Sequence, residues 1–308
     1  MKGSRLVFNL ASLVVLTLAA SSLAQAQATR TFISGTGDDN NPCSRTAACK
    51  TFAGALAKTN DGGEIDVLDP VGGGTMLINK SVTIDGGGTY ASINASGTNA
   101  IIVNDLNAVV TIRNLSLNGA TTGLVGVKIL AAKSVTIENC SIFKFRSGTG
   151  RAISDERTVA GSKLTVINTT INDNAGNAVV VLPTTATSGV SAVFDNVRVF
   201  DNTTSGFFFG LGAKATIKNS FVTTNGNAGV QAADANTKVN IVDTVLSNNS
   251  IGVFGGGGAS VTRLTRCTVT ENGTGVQTQT GGIVESFGDN NIRGNNAGNA
   301  GVQGVGQI

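Results

Sequence analysis

The residues that could carry out chemistry are few, because only 13% of the 308 residues are charged and none is histidine. The absence of histidine excludes Ser-His-Asp and Cys-His nucleophiles, histidine general bases and histidine-ligated zinc. The chemistry that remains is that of carboxylates, which can accept a proton or bind Ca²⁺, and of the arginine and lysine side chains. With no tryptophan and one tyrosine, the chain also lacks an extended aromatic stacking platform.

One candidate group is a column of charged residues, each of which directly precedes a recurring polar position. Its members are Arg113, Glu138, Asp195 and Lys218. The repeats described below place Glu138 and Asp195 about 10 Å apart. Neighbouring opposite charges of this kind form surface ion pairs worth about 0–1 kcal/mol each. We interpret the column as two surface ion pairs and not as a catalytic site.

A second candidate group lies where the repeats are most widely spaced. Its members are Lys144, Arg146, Arg151, Asp155, Glu156 and Arg157. Extra residues between repeats form loops, and loops on a rigid scaffold commonly carry function, so we predict a ligand-binding loop here. The alternative is a solvated loop of mixed charge. No residue is predicted to be catalytic, to bind a cofactor or to bind a metal.

Eight six-residue segments recur along the chain and must position any such site. They begin at residues 112, 137, 166, 194, 217, 241, 264 and 287. The steps between them are 23 to 29 residues long, and the first and sixth residues are apolar in every copy. Apolar residues alternate before the third position, as in a β-strand, and the parity shifts after it, so the chain must bend there.

A second turn follows in the later repeats, where an asparagine stands shortly before a glycine. These asparagines are Asn202, Asn225, Asn249 and Asn272. A repeat of about 23 residues with two or three short strands and no helix is one coil of a solenoid. Strands of successive coils would stack in parallel at about 4.8 Å. The sequence therefore predicts an all-β solenoid.

The third residue of the recurring segment is asparagine in five successive copies. These are Asn114, Asn139, Asn168, Asn196 and Asn219. Asparagine tolerates the left-handed conformation that such a bend requires, and a stacked amide can donate to one neighbour and accept from another. We therefore predict an amide ladder along the bend. Asp243, Arg266 and Asp289 continue the column, either as an ionic series or with Arg266 pointing to solvent.

The four cysteines fall into two pairs. Cys43 and Cys49 lie close together in a polar segment, and we predict that they form a disulfide, with two free thiols as the alternative. Cys140 and Cys267 occupy the same inward position of the repeat, but five coils, or about 24 Å, separate them. A disulfide cannot span that distance, so we interpret both as small buried hydrophobes.

The first 26 residues have the features of a secretory signal peptide. Lys2 and Arg5 precede an apolar run, and Ala24 and Ala26 flank a small-residue cleavage site. No later stretch is long and apolar enough to span a membrane. Loss of this segment lowers the net charge from +3 to about +1, so binding to nucleic acid is not predicted. We expect a secreted or periplasmic protein after cleavage near Ala26.

Over residues 60–300 the coils resemble the right-handed parallel β-helix of the pectin-lyase-like superfamily. The segments Ser34-Gly-Thr-Gly-Asp-Asp39, Asn41-Pro-Cys43 and Ala48-Cys-Lys-Thr-Phe52 also resemble the N-terminal cap of exported bacterial β-helix proteins. That cap often has proline where this chain has Ala48. The resemblance implies a single-stranded right-handed parallel β-helix of about 9–11 coils.

The expected domain organisation has three parts. A signal peptide occupies residues 1–26, a cap region residues 27–63 and the β-helix residues 64–308. Thr51 can begin a short helix that buries Phe52, Ala55 and Leu56 and covers the first coil. The opposite end, Ala297 to Ile308, has no obvious cap.

The superfamily includes lyases, hydrolases, adhesins and phage tailspikes, so the fold does not fix the function. The resemblance implies that a lyase would use acidic Ca²⁺ ligands and an arginine base, while the Gly-His-Gly motif of related hydrolases is absent. We predict a non-catalytic exported protein that presents an elongated polar face to a glycan or cell surface. The alternative is a lyase or hydrolase acting on acidic glycans, and Ca²⁺ is expected only then. Carboxylates clustered across adjacent coils would favour the alternative.

Overall fold

The computed structural model describes residues 27–157, 161–183, 189–299 and 301–306. Within these ranges the chain forms one helix, α1 (Phe52–Lys58), and 32 strands arranged in three parallel sheets. The predicted signal peptide lies outside the described residues. No helix in the described ranges has both the length and the hydropathy needed to cross a membrane.

Three sheets, numbered in chain order, run the length of the solenoid. Sheet 1 contains β1 (Ala28–Ile33), β2 (Thr59–Val67), β5 (Val82–Asp85), β8 (Val109–Arg113), β11 (Ser134–Glu138), β14 (Lys163–Ile167), β17 (Ser191–Asp195), β20 (Lys214–Lys218), β23 (Lys238–Val242), β26 (Val261–Thr265), β29 (Ile283–Ser286) and β32 (Val302–Gly304). Sheet 2 contains β3 (Val71–Gly72), β6 (Ala91–Asn94), β9 (Ser116–Asn118), β12 (Ser141–Phe143), β15 (Thr170–Asn172), β18 (Arg198–Phe200), β21 (Phe221–Thr223), β24 (Val245–Ser247), β27 (Thr268–Thr270) and β30 (Asn291–Ile292). Sheet 3 contains β4 (Met76–Ile78), β7 (Ile101–Asn104), β10 (Val125–Ala131), β13 (Arg151–Asp155), β16 (Val179–Val181), β19 (Phe207–Phe209), β22 (Ala228–Ala232), β25 (Ile251–Gly255), β28 (Thr274–Thr278) and β31 (Ala297–Asn299).

Each coil contributes one strand to each sheet, and every strand pairs in parallel with the strands of the coils before and after it. In the eighth recurring segment Ser286, and not the predicted Phe287, pairs with Leu264. Over the first seven segments the register is constant, since their first residues stack directly on one another. That stack is Ile112, Ile137, Val166, Phe194, Ile217, Ile241 and Leu264. Sheets 2 and 3 contain ten strands each, which confirms the predicted number of coils.

The core lies inside the three sheets and consists of the inward residues of each strand. Val135 and Ile137 point inward before the bend, and Cys140 and Ile142 point inward after it, as the parity shift predicts. Burial raises the pKa of the Cys140 thiol to about 11. Cys140 and Cys267 are therefore buried hydrophobes, which confirms their interpretation.

The bend between sheets 1 and 2 has the predicted left-handed backbone. Its seven residues have φ between 48° and 59°, and they are Asn114, Asn139, Asn168, Asn196, Asn219, Asp243 and Arg266. The N–H group of each of the first six donates to a carbonyl oxygen of the next coil, at 3.0–3.2 Å. We call this set of seven residues the bend column.

The bend column contains only a fragment of the predicted amide ladder. Among the described contacts, Asn196 Nδ2 donates to Asn168 Oδ1 at 2.8 Å. Asn114 and Asn219 instead donate to carboxylates, those of Asp85 and Asp195, at 2.7 and 2.9 Å. The described bonds at this bend therefore do not form the continuous amide ladder that was predicted, because carboxylates one coil away compete for the amide donors.

The continuous ladder lies at the second turn, between sheets 2 and 3. Its six members are Asn174, Asn202, Asn225, Asn249, Asn272 and Asn295. The Nδ2 of each of the first five donates to the Oδ1 of the next coil at 2.9–3.1 Å, and Asn295 Nδ2 ends the series by donating to the carbonyl oxygen of Val269. The same Oδ1 accepts the backbone N–H of the preceding ladder residue at 3.0–3.3 Å. We call these residues the buried ladder.

The N-terminal cap is held by a disulfide and by α1. Cys43 and Cys49 are bonded, with their Cα atoms 4.7 Å apart, as predicted. The Thr51 hydroxyl accepts the N–H of Gly54 at 2.9 Å and so caps α1, which buries Phe52 and other apolar residues. Strand β1 also belongs to sheet 1, so the segment before the helix lengthens this sheet by one strand.

Candidate functional site

A groove with a volume of about 650 Å³ lies along the outer face of sheet 2. We call it the sheet-2 groove. Its lining residues are Asn196, Arg198, Phe200, Asn219, Ser220, Phe221, Thr223 and Asp243.

Short strands hold the side chains of the groove in place. In β18 and β21 the middle residues, Val199 and Val222, are buried, so the residues on either side of them face outward. Arg198 and Phe221 are therefore presented to solvent from adjacent coils, paired in register. The Phe221 side chain is 42% exposed, so its ring is accessible from the groove.

The groove carries a positive charge that the described protein groups do not neutralise. Arg198 forms no ion pair within the described chain. The Asp243 carboxylate, by contrast, is bound by both Nε and Nη2 of Arg266 at 2.7 Å. This contact lowers the pKa of Asp243, which stays ionised and is a poor proton acceptor.

The same face continues toward the N-terminal coils. A second cavity of about 410 Å³ lies there, and its polar lining includes Asn114, Ser116, Asn139, Ser141 and Asn168. Tyr90 borders it with a side chain that is 87% exposed. Because Asn168 and Asn196 are hydrogen-bonded neighbours, the two cavities adjoin. The outer face of sheet 2 thus offers amides, hydroxyls and aromatic rings over several coils.

A carboxylate cluster lies on the outer face of sheet 1, at its N-terminal end. Glu64 and Asp66 of β2 and Asp85 of β5 have oxygen atoms within 4.8 Å of one another. Arg113 of β8 contacts Glu64 at 3.1 Å and Asp85 at 2.8 Å. Arg30 of β1 contacts Asp66 and lies 3.8 Å from Glu64. The three carboxylates precede the eight recurring segments in the chain, so the repeat alone does not predict that Asp66 and Asp85 pair on adjacent strands.

We tested whether the cluster fits Ca²⁺, the ion that the fold family implies. Asp85 Oδ1 accepts from Asn114 Nδ2 and from the N–H of Gly87, and its Oδ2 accepts from Arg113. Burial alone would raise the pKa of Asp85, but these hydrogen bonds and the Arg113 charge hold it below its usual range. Two guanidinium groups thus contact all three carboxylates, and their positive charges would repel a calcium ion. The cluster does not fit Ca²⁺.

The structure separates the residues of the predicted ligand-binding loop. Asp155 and Arg157 are fully buried and form an ion pair at 2.6 Å, so assigning them to a surface site is wrong. Arg157 also donates to the carbonyl oxygens of Ala132 and Lys163, which fixes the loop from inside. Their charges are tolerated in the interior because each group satisfies the other.

The remaining loop residues lie at the surface in two places. Lys144 has a left-handed backbone at the second turn, and Arg146 beside it pairs with Asp173 of the next coil. Arg151 and Glu156 lie on the outer face of sheet 3 and line a small cavity together. The six residues therefore do not form one site.

Of the two ion pairs predicted for the charge column, one is confirmed. Lys218 pairs with Asp195 at 2.9 Å, and together with a hydrogen bond from Asn219 this lowers the pKa of Asp195. The expected pairing of Arg113 with Glu138 is wrong, because Arg113 turns to the earlier coils, where two carboxylates are available. Of the two interpretations of Arg266, the ionic one is confirmed, because Arg266 forms an ion pair with Asp243.

Sequence comparisons with protein families and with characterised proteins return no match. Comparison with solved structures finds similar proteins. A pectate lyase, Pel9A, is similar with a TM-score of 0.55 and 18% identity over 86% of this chain and 76% of that one. The A-module of the mannuronan C-5 epimerase AlgE4 from Azotobacter vinelandii has a TM-score of 0.50 and 14% identity, over 90% and 87% of the two chains. These similarities confirm the fold as a right-handed parallel β-helix.

Proposed function

We propose that this right-handed parallel β-helix is an exported, non-catalytic protein that binds a glycan chain along the sheet-2 groove. One observation carries the proposal. The exposed aromatic ring of Phe221 and the guanidinium of Arg198, which forms no ion pair within the described chain, stand at neighbouring positions of adjacent coils. Amide and hydroxyl groups surround both side chains. A sugar has apolar C–H faces and polar hydroxyl edges, so it can use both kinds of group at once.

The architecture suits a linear polymer better than a compact ligand. The groove and the adjoining cavity follow the solenoid axis, and each coil repeats the same outward positions about 4.8 Å farther along. The side chains stand on short, paired strands, so little conformational freedom is lost on binding. A glycan lying along the axis would meet a new set of polar groups at every coil.

The described carboxylates do not favour catalysis. Asp243 in the groove is engaged by Arg266, and the cluster of Glu64, Asp66 and Asp85 is engaged by two arginines. A general base needs a free lone pair and a pKa near the working pH. Neither place provides such a group, and this supports a binding role.

Binding is tested with a glycan array, followed by calorimetry with the best-bound oligosaccharide. Phe221→Ala and Arg198→Ala should each weaken binding by about tenfold, since stacking and charged hydrogen bonds are each worth roughly 1–3 kcal/mol. The matched control is Phe254→Ala, a half-buried phenylalanine on the outer face of sheet 3. Wild-type affinity in both groove variants, or an array without any bound glycan, would remove the proposal.

A second candidate function is lyase activity on an acidic glycan. It is favoured by the three carboxylates that cluster across adjacent coils and by the fold shared with a pectate lyase. Its test is incubation with uronic-acid polymers and Ca²⁺, monitored by the absorbance of unsaturated products. We expect none. Product formation that disappears in Asp85→Asn would replace the binding proposal with a catalytic one.

Export is part of the proposal and has its own test. The Cys43–Cys49 disulfide supports an oxidising compartment, where such bonds persist. Expression in a bacterium followed by mass spectrometry of the protein outside the cytoplasm should give a chain that begins near Gln27. A full-length chain retained in the cytoplasm would contradict export without affecting the glycan-binding test.

A further inference from the structure

A small cavity on the outer face of sheet 3 lies apart from the sheet-2 groove. It has a volume of about 200 Å³ and lies between β10, β13 and the loop that precedes β13. We call it the Arg151 pocket, and its lining residues are Leu124, Val125, Lys128, Ser147, Thr149, Arg151 and Glu156.

The pocket contains more positive than negative charge. Lys128 and Arg151 both approach Glu156, at 3.5 and 3.9 Å, so two cations share one carboxylate. Both distances exceed that of a good hydrogen bond, and all three side chains are about 30% exposed. These contacts are therefore weak, and an anion can compete with Glu156 for both cations.

The Arg151 guanidinium is held in place but is not fully used. Its Nη1 donates to Ser154 Oγ at 3.1 Å, and that hydroxyl donates to Glu156 at 2.9 Å. Its Nε is buried and has no hydrogen-bond partner among the described residues. A buried donor without an acceptor costs about 1–3 kcal/mol, so Arg151 is not at its most stable arrangement within the protein alone.

The neighbouring loop supplies further donors. The N–H groups of Gly148, Thr149 and Gly150 donate to no acceptor within the described chain. Gly148 has a left-handed φ of 56°, and consecutive amides around a left-handed residue form concave anion sites in many proteins. The hydroxyls of Ser147 and Thr149 line the same pocket.

We propose that the Arg151 pocket binds a tetrahedral oxyanion, a sulfate or phosphate group, either free or as an ester on a larger molecule. Two cationic side chains and two hydroxyl-bearing residues line one small space, and such an anion carries several acceptor oxygens on one compact centre. This site is independent of the glycan groove and uses two residues of the loop that sequence analysis selected, Arg151 and Glu156.

The test compares sodium sulfate with sodium chloride at equal ionic strength, by calorimetry and by thermal unfolding. Wild-type protein should bind sulfate, and Arg151→Gln and Lys128→Gln should each lower the affinity by about tenfold. Glu156→Gln removes the competing carboxylate and should raise the affinity by up to about fivefold, the size of a weak ion pair. A merely structural Glu156 would not produce that gain.

The matched control is Arg146→Gln, which removes a guanidinium of the same loop that Asp173 already occupies. It should bind sulfate as the wild type does, and unfolding in chloride verifies that every variant folds. A sulfated monosaccharide compared with its unsulfated parent distinguishes an esterified group from a free ion. No binding of sulfate, phosphate or the ester above chloride would overturn the proposal, as would equal binding by all four variants.

Discussion

Two columns of stacked side chains run along this solenoid, one at each turn beside sheet 2. The bend column is exposed and left-handed, and it changes from asparagine to Asp243 and then to Arg266. The buried ladder has asparagine in six successive coils. Its members from Asn174 to Asn272 are at most 3% exposed. The same residue type therefore recurs for two different reasons.

The second turn distinguishes the two reasons for asparagine, which are backbone conformation and side-chain hydrogen bonding. The residue before each ladder asparagine is also left-handed, yet its type varies freely. These residues are Asp173, Asp201, Thr224, Asn248, Glu271 and Gly294. A left-handed backbone alone thus does not require asparagine, although asparagine lowers its cost. A buried position such as Asn225 accepts from one coil and donates both to the next coil and to a carbonyl oxygen of its own coil. A short amide suits it because it supplies two N–H donors and an acceptor, whereas a hydroxyl has only one hydrogen to donate.

The most direct test of the difference between the two columns is to remove one buried amide. In Asn225→Ala, the N–H and Nδ2 of Asn202 lose their acceptor, and Asn249 Oδ1 loses a donor. We expect a loss of about 3 kcal/mol in the free energy of unfolding, measured in urea, because several buried groups become unsatisfied. A loss below about 1 kcal/mol would mean that the two columns are equivalent.

The matching change in the bend column is Asn219→Ala, with Asn219→Gly as its control. Alanine at a φ of 51° should cost about 1 kcal/mol, whereas glycine adopts this conformation freely and should cost less than about 0.5 kcal/mol. The difference isolates the backbone contribution. Equal losses for both variants would instead assign the effect to the hydrogen bond with Asp195.

The comparison also predicts a gain in stability at the left-handed position before the ladder asparagine, where the residue type varies. Thr224 is β-branched with a φ of 52°, an unfavourable combination, so Thr224→Asn should stabilise the chain by about 0.5 kcal/mol. Thr224→Val, a matched control that is also β-branched, should give no gain. Destabilisation by asparagine at this site would show that the Thr224 hydroxyl, which accepts from Asp201, matters more than the backbone.

The smallest effect concerns the ionic end of the bend column and depends on pH. Because Arg266 lowers the folded-state pKa of Asp243, the pair stabilises above the ordinary carboxyl pKa of about 3.9. That stability disappears as the pH falls through the lower folded value. The stability of Arg266→Asn relative to wild type, measured in urea, should therefore be lower at pH 7 than at pH 2. A pH-independent gain adds to this difference, because asparagine adopts the left-handed backbone more readily than arginine. A pH-independent difference would argue against the ion pair.

The sequence predicts the coils, the bend and its left-handed residues, because side-chain period and asparagine preference are local properties. It does not distinguish the two asparagine columns, since burial depends on how three sheets enclose the core. The cluster around Glu64 and Asp85 was missed for a similar reason. Its arginines, Arg30 and Arg113, come from distant parts of the chain and meet only through sheet pairing.

Asp155 and Arg157 illustrate the opposite error. Charged residues in a long inter-repeat segment are ordinarily solvated, and that expectation placed them at the surface. Two residues apart on an extended chain, their side chains instead reach each other and enter the interior together. Composition cannot reveal such a pairing, because it depends on the carbonyl oxygens of Ala132 and Lys163 being within reach.

The uniform spacing of the later coils has a consequence for how such a molecule can change. Between Asn196 and Arg266 the bend residues recur every 23 or 24 positions, and each bonds only to the coils directly above and below. Excision or duplication of one whole period would rejoin equivalent atoms, leaving every neighbouring contact of the same kind. Length is thus an adjustable dimension of this architecture, open to genetic change in whole steps without redesign of the interior.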